Sequence, residues 1–493
     1  MPIFLLLALF LAFGADSVVL PVGAAPEGAL RWAVGSVLGV GALAAAVSVV
    51  VGLQARRMSG ASAARWALRW GSRLIAAATL GAYAWLILGL GWVEVVRGAW
   101  GHRDAILVDE LLILAPFLAL QVAAWSGLAP GERAIRRATF APTGRPTALA
   151  WAVVARARQS LGMVLPAALL FALGQDLARS IWPTRVADAD FQLAMMVVLG
   201  GSVLVLVPAF VRLSWPTRSL PGGPLRDRLE RVAARFGFRC TDILLWDTDG
   251  AVVNAGVTGA SPWFRYVLLT DALVAGLNDH EIAAVFGHEV GHARHRHLGF
   301  FGLFFVGSVG VVTLLGAWLD ESTLRAVLPA VIAPTWATAV QGGAVLVAAL
   351  VYFGVVFGHL SRRFERQADV FGARAVSCDR ADCPPHPDPY AHRSPGELAR
   401  LDLRAPICPV GLRTFVNALR AVAVLNGIDP MARSWRHGSI ARRVAFLEGL
   451  ENRPEAERRF QAGVNRLRVA LVVLLAGALI LAFETGAIAQ LGS

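Results

Sequence analysis

Long apolar runs dominate the pattern of hydrophobic and polar positions along the chain. About nine stretches close to 20 residues long carry almost no charge, and that length crosses a bilayer as an α-helix. They lie at residues 3–20, 30–53, 74–96, 106–128, 160–182, 191–213, 299–319, 336–358 and 468–490. The pattern predicts a multi-pass α-helical membrane protein. The first run also permits a cleaved export signal, but no basic segment precedes it, so an uncleaved helix is preferred.

Two polar segments, residues 214–297 and 360–466, interrupt the apolar runs. Together they hold about 190 residues, which is enough for one domain with its own core. In the first, PLRDRLERVAARFGF (224–238) has helical periodicity and ends at a glycine. The β-branched runs that follow flank an Asp-Gly pair and predict a small antiparallel sheet. A second helix is expected to start at Asn278 or Asp279, with Glu281 completing its N-terminal cap.

Composition and charge agree with a membrane location. Charged residues make up 16% of the 493 residues and hydrophobic residues 56%, whereas a soluble domain has about 25% charged residues. The net charge of +12 comes entirely from arginine, since the chain contains no lysine. Arginine is dense in loops 54–73 and 129–159 and sparse in 97–105, 183–190 and 320–335. This alternation predicts a cytoplasmic N-terminus, cytoplasmic polar segments and contact with lipid head groups rather than nucleic acid. The arginine- and alanine-rich composition favours a bacterial inner membrane.

The stretch FGHEVGHARHRH (286–297) carries candidate metal chemistry. His288 and His292 are four residues apart, so both imidazoles project from one face of a helix and can bind one zinc ion. Glu289 is rotated by about 100° from His288 and stands beside the metal, where it can act as a general base. The alternative is a polar helix end where the chain enters the next span. His295 and His297 are conceivable as additional ligands, but with Arg294 and Arg296 they are better explained as a basic stretch at the inner leaflet, just before the next span.

A catalytic zinc usually has three protein ligands and one open position. Glu365 and Asp369 are again four residues apart on a predicted helix, LSRRFERQADVFGARA. Two predicted spans separate this helix from His288, so the chain returns to the same side of the membrane. Glu365 is therefore the expected third ligand, and Asp369 is expected to orient a ligand histidine through its second ring nitrogen. An ordinary charged helix face is the alternative.

These motifs resemble the integral-membrane zinc metallopeptidase family, which includes the type I CAAX prenyl endopeptidases and HtpX. The resemblance rests on residues 254–297, on Glu365 with Asp369 as the family's E-x-x-x-D, and on WRHGSIARR as a form of its H-P-x-x-x-x-R motif. It implies a gluzincin-type catalytic domain, mainly α-helical, with one zinc ion per chain held by His288, His292 and Glu365.

The resemblance also implies roles for residues outside the two helices. His437 and Arg443 would steady the carbonyl or oxyanion of the substrate. Asn254 and Ala255 would lie on the edge strand that pairs with the substrate backbone. The chain departs from the family pattern at Gly438, where the family has proline.

The sequence thus predicts a membrane-embedded zinc endopeptidase that acts on membrane-associated or misfolded proteins, with Glu289 as general base. A zinc-stapled scaffold or chaperone without activity is the alternative, and no L-D-G motif supports a site-2 protease. The predicted organisation is six transmembrane helices (1–213), a catalytic segment (214–297), a helix pair (298–359), a second catalytic segment (360–466) and a final transmembrane helix (467–493).

Two further groups of polar residues can each be interpreted in two ways. A second zinc site from Cys378, Cys383, Cys408 and His386 is conceivable, although an irregular loop explains this proline-rich insertion better. Glu110 and Asp176 lie in or beside predicted spans, where charges either line a cavity or sit at an interface.

Overall fold

The structure is a computed structural model with two compact units, Met1–Pro216 and Thr217–Ser493. It describes residues 8–9, 11–12, 26–57, 61–102, 106–139, 149–162, 164–186, 188–248, 250, 252–318, 334–378, 407–451 and 453–485. Most of the first predicted span lies outside these residues. So do Cys383 and His386 of the conceivable second zinc site.

The first unit is built from helices that follow its apolar runs. These are α1 (Pro26–Ala55), α2 (Ala61–Ala84), α3 (Trp92–Glu94), α4 (Val108–Thr139), α5 (Leu149–Leu161), α6 (Leu165–Ile181) and α7 (Ala189–Ser214), with π-helical turns at Trp85–Gly89 and Val95–Ala99.

Helices α1 and α4 approach closely because small residues face each other. A side chain at Gly127 would meet the Ala44 methyl group at 2.6 Å, so glycine is required there. The Ser48 hydroxyl donates to the Leu128 carbonyl oxygen at 3.1 Å and accepts the Gly131 N–H at 2.6 Å. Small-residue contacts with such hydrogen bonds are how helices associate where no water drives them together.

Six helices in the described residues are long and apolar enough to cross a membrane. They are Pro26–Ala55, Trp66–Gly89, Val108–Ile135, His297–Trp318, Gly343–Ala375 and Pro454–Glu484. They correspond to six of the predicted spans. The predicted spans 160–182 and 191–213 are the helices α6 and α7, which do not meet the same criterion over the described residues. The expected total of about nine spans is therefore confirmed only in part.

The second unit combines a small sheet with helices. Its elements are β1 (Thr217–Ser219), α8 (Pro224–Arg235), β2 (Asp242–Trp246), β3 (Ala255–Thr258), a 3-10 turn (Pro262–Phe264), β4 (Tyr266–Thr270), α9 (Asp271–Gly276), α10 (Asp279–Arg294), α11 (His297–Trp318), α12 (Pro334–Tyr352), a π-helical turn (Phe353–Phe357), α13 (Gly358–Ala375), α14 (Pro409–Leu425), α15 (Ile440–Glu448) and α16 (Pro454–Glu484).

The sheet is mixed, so the prediction of an antiparallel sheet is wrong in part. The strand order is β1-β2-β4-β3, in which β2 and β4 run parallel and the other two pairs are antiparallel. The loop after β2 explains the difference. Asp271, at the start of α9, accepts the backbone N–H of Thr248 at 3.1 Å and that of Gly250 at 2.8 Å. These hydrogen bonds hold the loop as it passes β4, and β3 lies at the outer edge of the sheet. A tight turn at the Asp-Gly pair would instead have placed β3 beside β2.

Helix α10 begins where its sequence predicts. Asn278 is the N-cap, and its side chain accepts the backbone N–H groups of His280 and Glu281. The Glu281 carboxylate accepts the Asn278 N–H in return, at 3.2 Å. This reciprocal capping box satisfies backbone donors that a helix start leaves without partners.

Helices α10 and α13 are packed almost backbone to backbone. A methyl group at Gly287 would collide with the Ala375 side chain, and one at Gly291 would meet Phe371 Cβ at 2.8 Å. Across the interface, a methyl group at Gly372 would meet the Ala284 carbonyl oxygen at 2.9 Å. Three glycines therefore set the distance between these two helices.

We expect Gly287→Ala to destabilise the second unit. The added methyl group forces α10 and α13 apart, and overpacking of this kind costs about 1–3 kcal/mol. Denaturant unfolding in detergent, followed by loss of helical signal, measures the change. Gly463→Ala in α16 is the matched control because its new methyl group meets no atom within 4 Å. Equal stability of the two variants would contradict the role of Gly287.

Candidate active site

The α10–α13 interface brings together three of the predicted ligands. His288 Nε2 and His292 Nε2 are 3.2 Å apart. Glu365 Oε2 lies 3.8 Å from His288 Nε2, and Glu365 Oε1 lies 3.7 Å from His292 Nε2. Two histidines on one helix and a glutamate on another thus point their ligand atoms at one small volume.

This donor set fits zinc. Ligand atoms bound at about 2.0–2.2 Å to one tetrahedral ion are separated from one another by roughly 3.3–3.6 Å, close to the distances between these three side chains. Two imidazole nitrogens and one carboxylate oxygen also leave a fourth position open, as in catalytic sites. Burial, and next the charge of His288, lower the pKa of His292 to about 3. His292 is therefore neutral at physiological pH, with a lone pair available to a metal.

Glu289 is partly buried beside the ligands and faces the sheet. Its carboxylate interacts with the backbone of Val257 in β3. Burial raises the pKa of Glu289 above the usual value for a glutamate, and the charge of Glu365 acts in the same direction. A carboxylate with a raised pKa is better matched to accepting and releasing a proton near neutral pH.

Asp369 lies behind the ligands and is fully buried. Its Oδ1 is 3.0 Å from His288 Nδ1, the ring nitrogen on the far side from the ligand cluster. Arg443 of α15 donates to both Asp369 oxygens, from Nε at 2.8 Å and from Nη2 at 2.5 Å. Its Nη1 lies 3.5 Å from Glu365 Oε2. The resemblance predicts that Arg443 steadies the substrate, and in the structure its guanidinium group contacts Asp369 and the candidate ligand Glu365.

His437 stands at the open side of the cluster, with its side chain half exposed. Its Nδ1 is 2.9 Å from Glu365 Oε1. The residue sits in a turn in which Ser434 and Gly438 exchange backbone hydrogen bonds. Gly438 has φ of 75°, a left-handed conformation that proline cannot adopt. Glycine in place of the family's proline therefore allows a left-handed turn at this position.

Strand β3 forms one wall of a cleft of about 1230 Å³ that also contains His288, Glu289 and His437. β3 is the outer strand of the sheet, so one side of its backbone has no strand partner. Asn254 is exposed in this cleft, and its carbonyl oxygen accepts the Thr270 N–H at 3.1 Å. Alternation in the β3–β4 ladder then turns the N–H and C=O groups of Ala255 and Val257 away from β4.

A side-chain clamp holds the beginning of this edge strand. Asn426, at the end of α14, accepts the Val253 N–H at 3.1 Å and donates to the Val253 carbonyl oxygen at 2.8 Å. Its amide therefore pairs with Val253 as a neighbouring strand would. Sequence reasoning missed Asn426, because nothing local signals a contact with a residue 173 positions away.

Sequence reasoning also misplaced His297. It is buried, at 1% exposure, so its assignment to a basic tail at the membrane surface is wrong. Arg296, between α10 and α11, has φ of 54°, a left-handed conformation. His297 then returns to His292, with the two Nδ1 atoms 2.9 Å apart. The ring of His297 stacks on Phe364 at 4.2 Å between centroids.

The hydrogen bonds around His297 determine the tautomer of His292. The Gln367 amide oxygen accepts from Arg468 at 2.7 Å and lies 3.1 Å from His297 Nε2. An amide oxygen only accepts, so His297 Nε2 carries the proton and His297 Nδ1 is an acceptor. His292 Nδ1 then donates to His297, which leaves His292 Nε2 as a lone pair directed at the ligand cluster.

Comparison with known proteins places this geometry in context. Residues 220–384 match the family model described as Peptidase family M48. The Protease HtpX homolog of Pyrobaculum aerophilum is 33% identical over 176 residues, which cover 34% of this chain and 47% of the relative. The Protease HtpX homolog of Acidiphilium cryptum is 27% identical over 125 residues, which cover 23% of this chain and 43% of the relative. The chain spans about half the length of the curated relatives it matches.

The fold is similar to that in the crystal structure of S. mikatae Ste24p. The TM-score is 0.51 at 15% identity, and the alignment covers 83% of this chain and 98% of that chain. These matches confirm the resemblance to the integral-membrane zinc metallopeptidases. With the six membrane-length helices, they identify the chain as an integral membrane protein.

We expect His297→Ala to weaken zinc binding about 10- to 100-fold, because His292 loses the acceptor that orients its ring. Competition with a chelator, followed by measurement of the zinc retained, gives the affinity. His359→Ala is the matched control, since His359 lies on α13 but is exposed. Unchanged zinc affinity in His297→Ala would show that His292 needs no orienting partner.

Proposed function

We propose that this protein is a membrane-embedded, zinc-dependent endopeptidase. One observation carries the proposal. Three ligand atoms of His288, His292 and Glu365 converge on one volume, with the Glu289 carboxylate beside them in a cleft lined by an edge strand. A structural zinc site needs neither a general base nor a peptide-sized groove, so this combination favours hydrolysis over a scaffold role.

A substrate would bind by extending the sheet. The outward N–H and C=O groups of Ala255 and the outward C=O group of Val257 suit an extended peptide, which would add to β3 as a fifth strand. Asn254 lies at the start of this strand and Asn426 holds the preceding residue in place. The backbone of the substrate would then be presented to Glu289 independently of its sequence.

Proton transfer is the proposed task of Glu289. Its carboxylate would accept a proton from the attacking water and deliver it to the nitrogen of the leaving amine. A zinc ion held by His288, His292 and Glu365, one per chain, would acidify water and polarise the scissile carbonyl. His437 directs Nδ1 at the Glu365 carboxylate, so Nε2 would donate to the substrate oxygen, as charge develops there, when the ring is an imidazolium with a proton on each nitrogen.

Arg443 and Asp369 are proposed to act through other residues. Arg443 fixes both oxygens of Asp369, and Asp369 in turn holds the Nδ1 side of His288. These contacts orient the candidate ligand His288. They also lower the free-energy cost of burying the acidic side chains of Asp369, Glu365 and Glu289 close together. Arg443 would thus support the ligands, while His437 faces the substrate.

The proposed substrates are membrane-associated or misfolded proteins, with the two polar segments on the cytoplasmic face of a bacterial inner membrane. The arginine-rich loops support this orientation. The relatives named Protease HtpX homolog support a protease that works on protein substrates. A groove that binds peptide backbone would accept many sequences.

We expect Glu289→Gln to keep its zinc and to lower the rate of cleavage of an unfolded test protein about 10²- to 10⁴-fold, the usual contribution of a general base. Zinc content and cleavage are measured on the same detergent-purified samples. Glu455→Gln, an exposed glutamate on α16, is the control and should match wild type. Zinc-loaded wild type that cleaves neither unfolded nor membrane-protein substrates would favour the scaffold role.

We expect Ala255→Pro to raise KM for peptide substrates about two- to tenfold, because proline removes one N–H that would pair with the substrate. The ladder to β4 does not use that group, so zinc content should not change. Ala255→Ser keeps the N–H and serves as the control. If both variants have the KM of wild type, the substrate does not bind by extending β3.

A further inference from the structure

A second cluster of acidic side chains lies in the first unit. Asp109 and Glu110 occupy the first turn of α4, and Asp176 projects from α6. One carboxylate oxygen from each of the three lies within 4.8 Å of the other two. Asp109 and Glu110 are both 4% exposed, so this is a buried cluster.

Within the described part of the chain, the positive charge beside the cluster does not balance the three carboxylates. Arg97 donates from Nε to Asp109 Oδ2 at 2.8 Å. Asp176 Oδ2 accepts the Leu107 N–H at 3.0 Å, and the side chain of Arg179, 3.7 Å from Asp176, is 60% exposed and thus screened by solvent. Among the residues that the structure describes, one buried arginine leaves a net charge of about −2 when all three acids are ionised.

Glu110 provides an observation of its own. Its Oε2 is buried and accepts no hydrogen bond from any residue that the structure describes. A buried carboxylate oxygen without a partner is costly, since burial removes the water that would otherwise solvate it. The Glu110 and Asp109 carboxyl groups also lie within hydrogen-bonding distance of each other, so the oxygen requires either a cation in the cluster or a proton shared with Asp109.

The donor atoms select the kind of ligand. All three groups are carboxylates, with no nitrogen or sulfur donor among them, and such sites prefer hard cations. Calcium binds oxygen at about 2.3–2.6 Å, so two of its ligands can stand up to about 5 Å apart, which spans the observed separation. A divalent ion would also neutralise the residual charge.

We propose that Asp109, Glu110 and Asp176 form a binding site for a divalent cation of the calcium type. The ion would join the start of α4 to α6 and complete the coordination of Glu110, with water as its remaining ligands. The charge pattern predicts that these helix ends face the outside of the cell, where such an ion would reach them without crossing the membrane.

The test is calorimetric titration of zinc-loaded, full-length protein in detergent with calcium chloride. We expect saturable binding of one ion per chain with Kd of about 0.1–1 mM, typical of sites with few carboxylates. Glu110→Gln and Asp176→Asn should each weaken binding at least about tenfold. Asp188→Asn removes an exposed acid of the same unit and should bind as wild type does.

A second measurement needs only the wild-type protein, in case a variant does not fold. Calcium should slow amide hydrogen exchange in peptides covering 106–112 and 174–178 and leave 440–448 unchanged. Absence of saturable calcium binding by wild type would overturn the proposal and assign a proton to Glu110. Binding that survives in both folded variants, or that leaves exchange at 106–112 unaltered, would overturn it as well.

Discussion

The close approach of α10 and α13 is the constraint on which the candidate active site depends. The ligands come from two polar segments that are separated in sequence by a pair of membrane-length helices. Glycines at 287, 291 and 372 allow the two helices to meet with almost no side chain between their backbones. Only at this distance do a histidine pair on one helix and a glutamate on the other fall within 4 Å of each other. The geometry of the candidate metal site thus follows from packing at three glycines, none of which is a candidate ligand.

Burial of charge is the second organising feature, and it explains why Arg443 and His437 differ. Asp369 and Glu365 are both buried beside the histidines, and ions removed from water need close partners. Arg443 supplies one by pairing with both oxygens of Asp369 while approaching Glu365. His437 instead touches Glu365 from the solvent side of the cleft and stays half exposed. Two residues of one motif therefore contact Glu365 in different ways, one buried with Asp369 and the other half exposed.

The strand order of the mixed sheet leaves one edge of β3 without a strand partner, and this edge lines the cleft. Asp271 diverts the loop after β2, so β3 becomes the outer strand, and the Asn426 amide fixes Val253 immediately before it. A hairpin between β2 and β3 would have buried the edge that now faces Glu289. Long-range side-chain contacts to backbone therefore decide which strand lies at the edge of the sheet, where the proposed peptide substrate would bind.

The sequence by itself determined the features that depend on local periodicity. Apolar length identified six membrane helices, the Asn278 and Glu281 pair marked the start of α10, and four-residue spacing placed His288 with His292 and Glu365 with Asp369 on common helix faces. Tertiary structure decided what depends on contacts distant in sequence. The parallel pairing of β2 with β4, the return of His297 to His292 through the left-handed Arg296, and the partnership of Arg443 with Asp369 all belong to this class. No local pattern encodes them, because each follows from burying a polar group whose partner lies on another element.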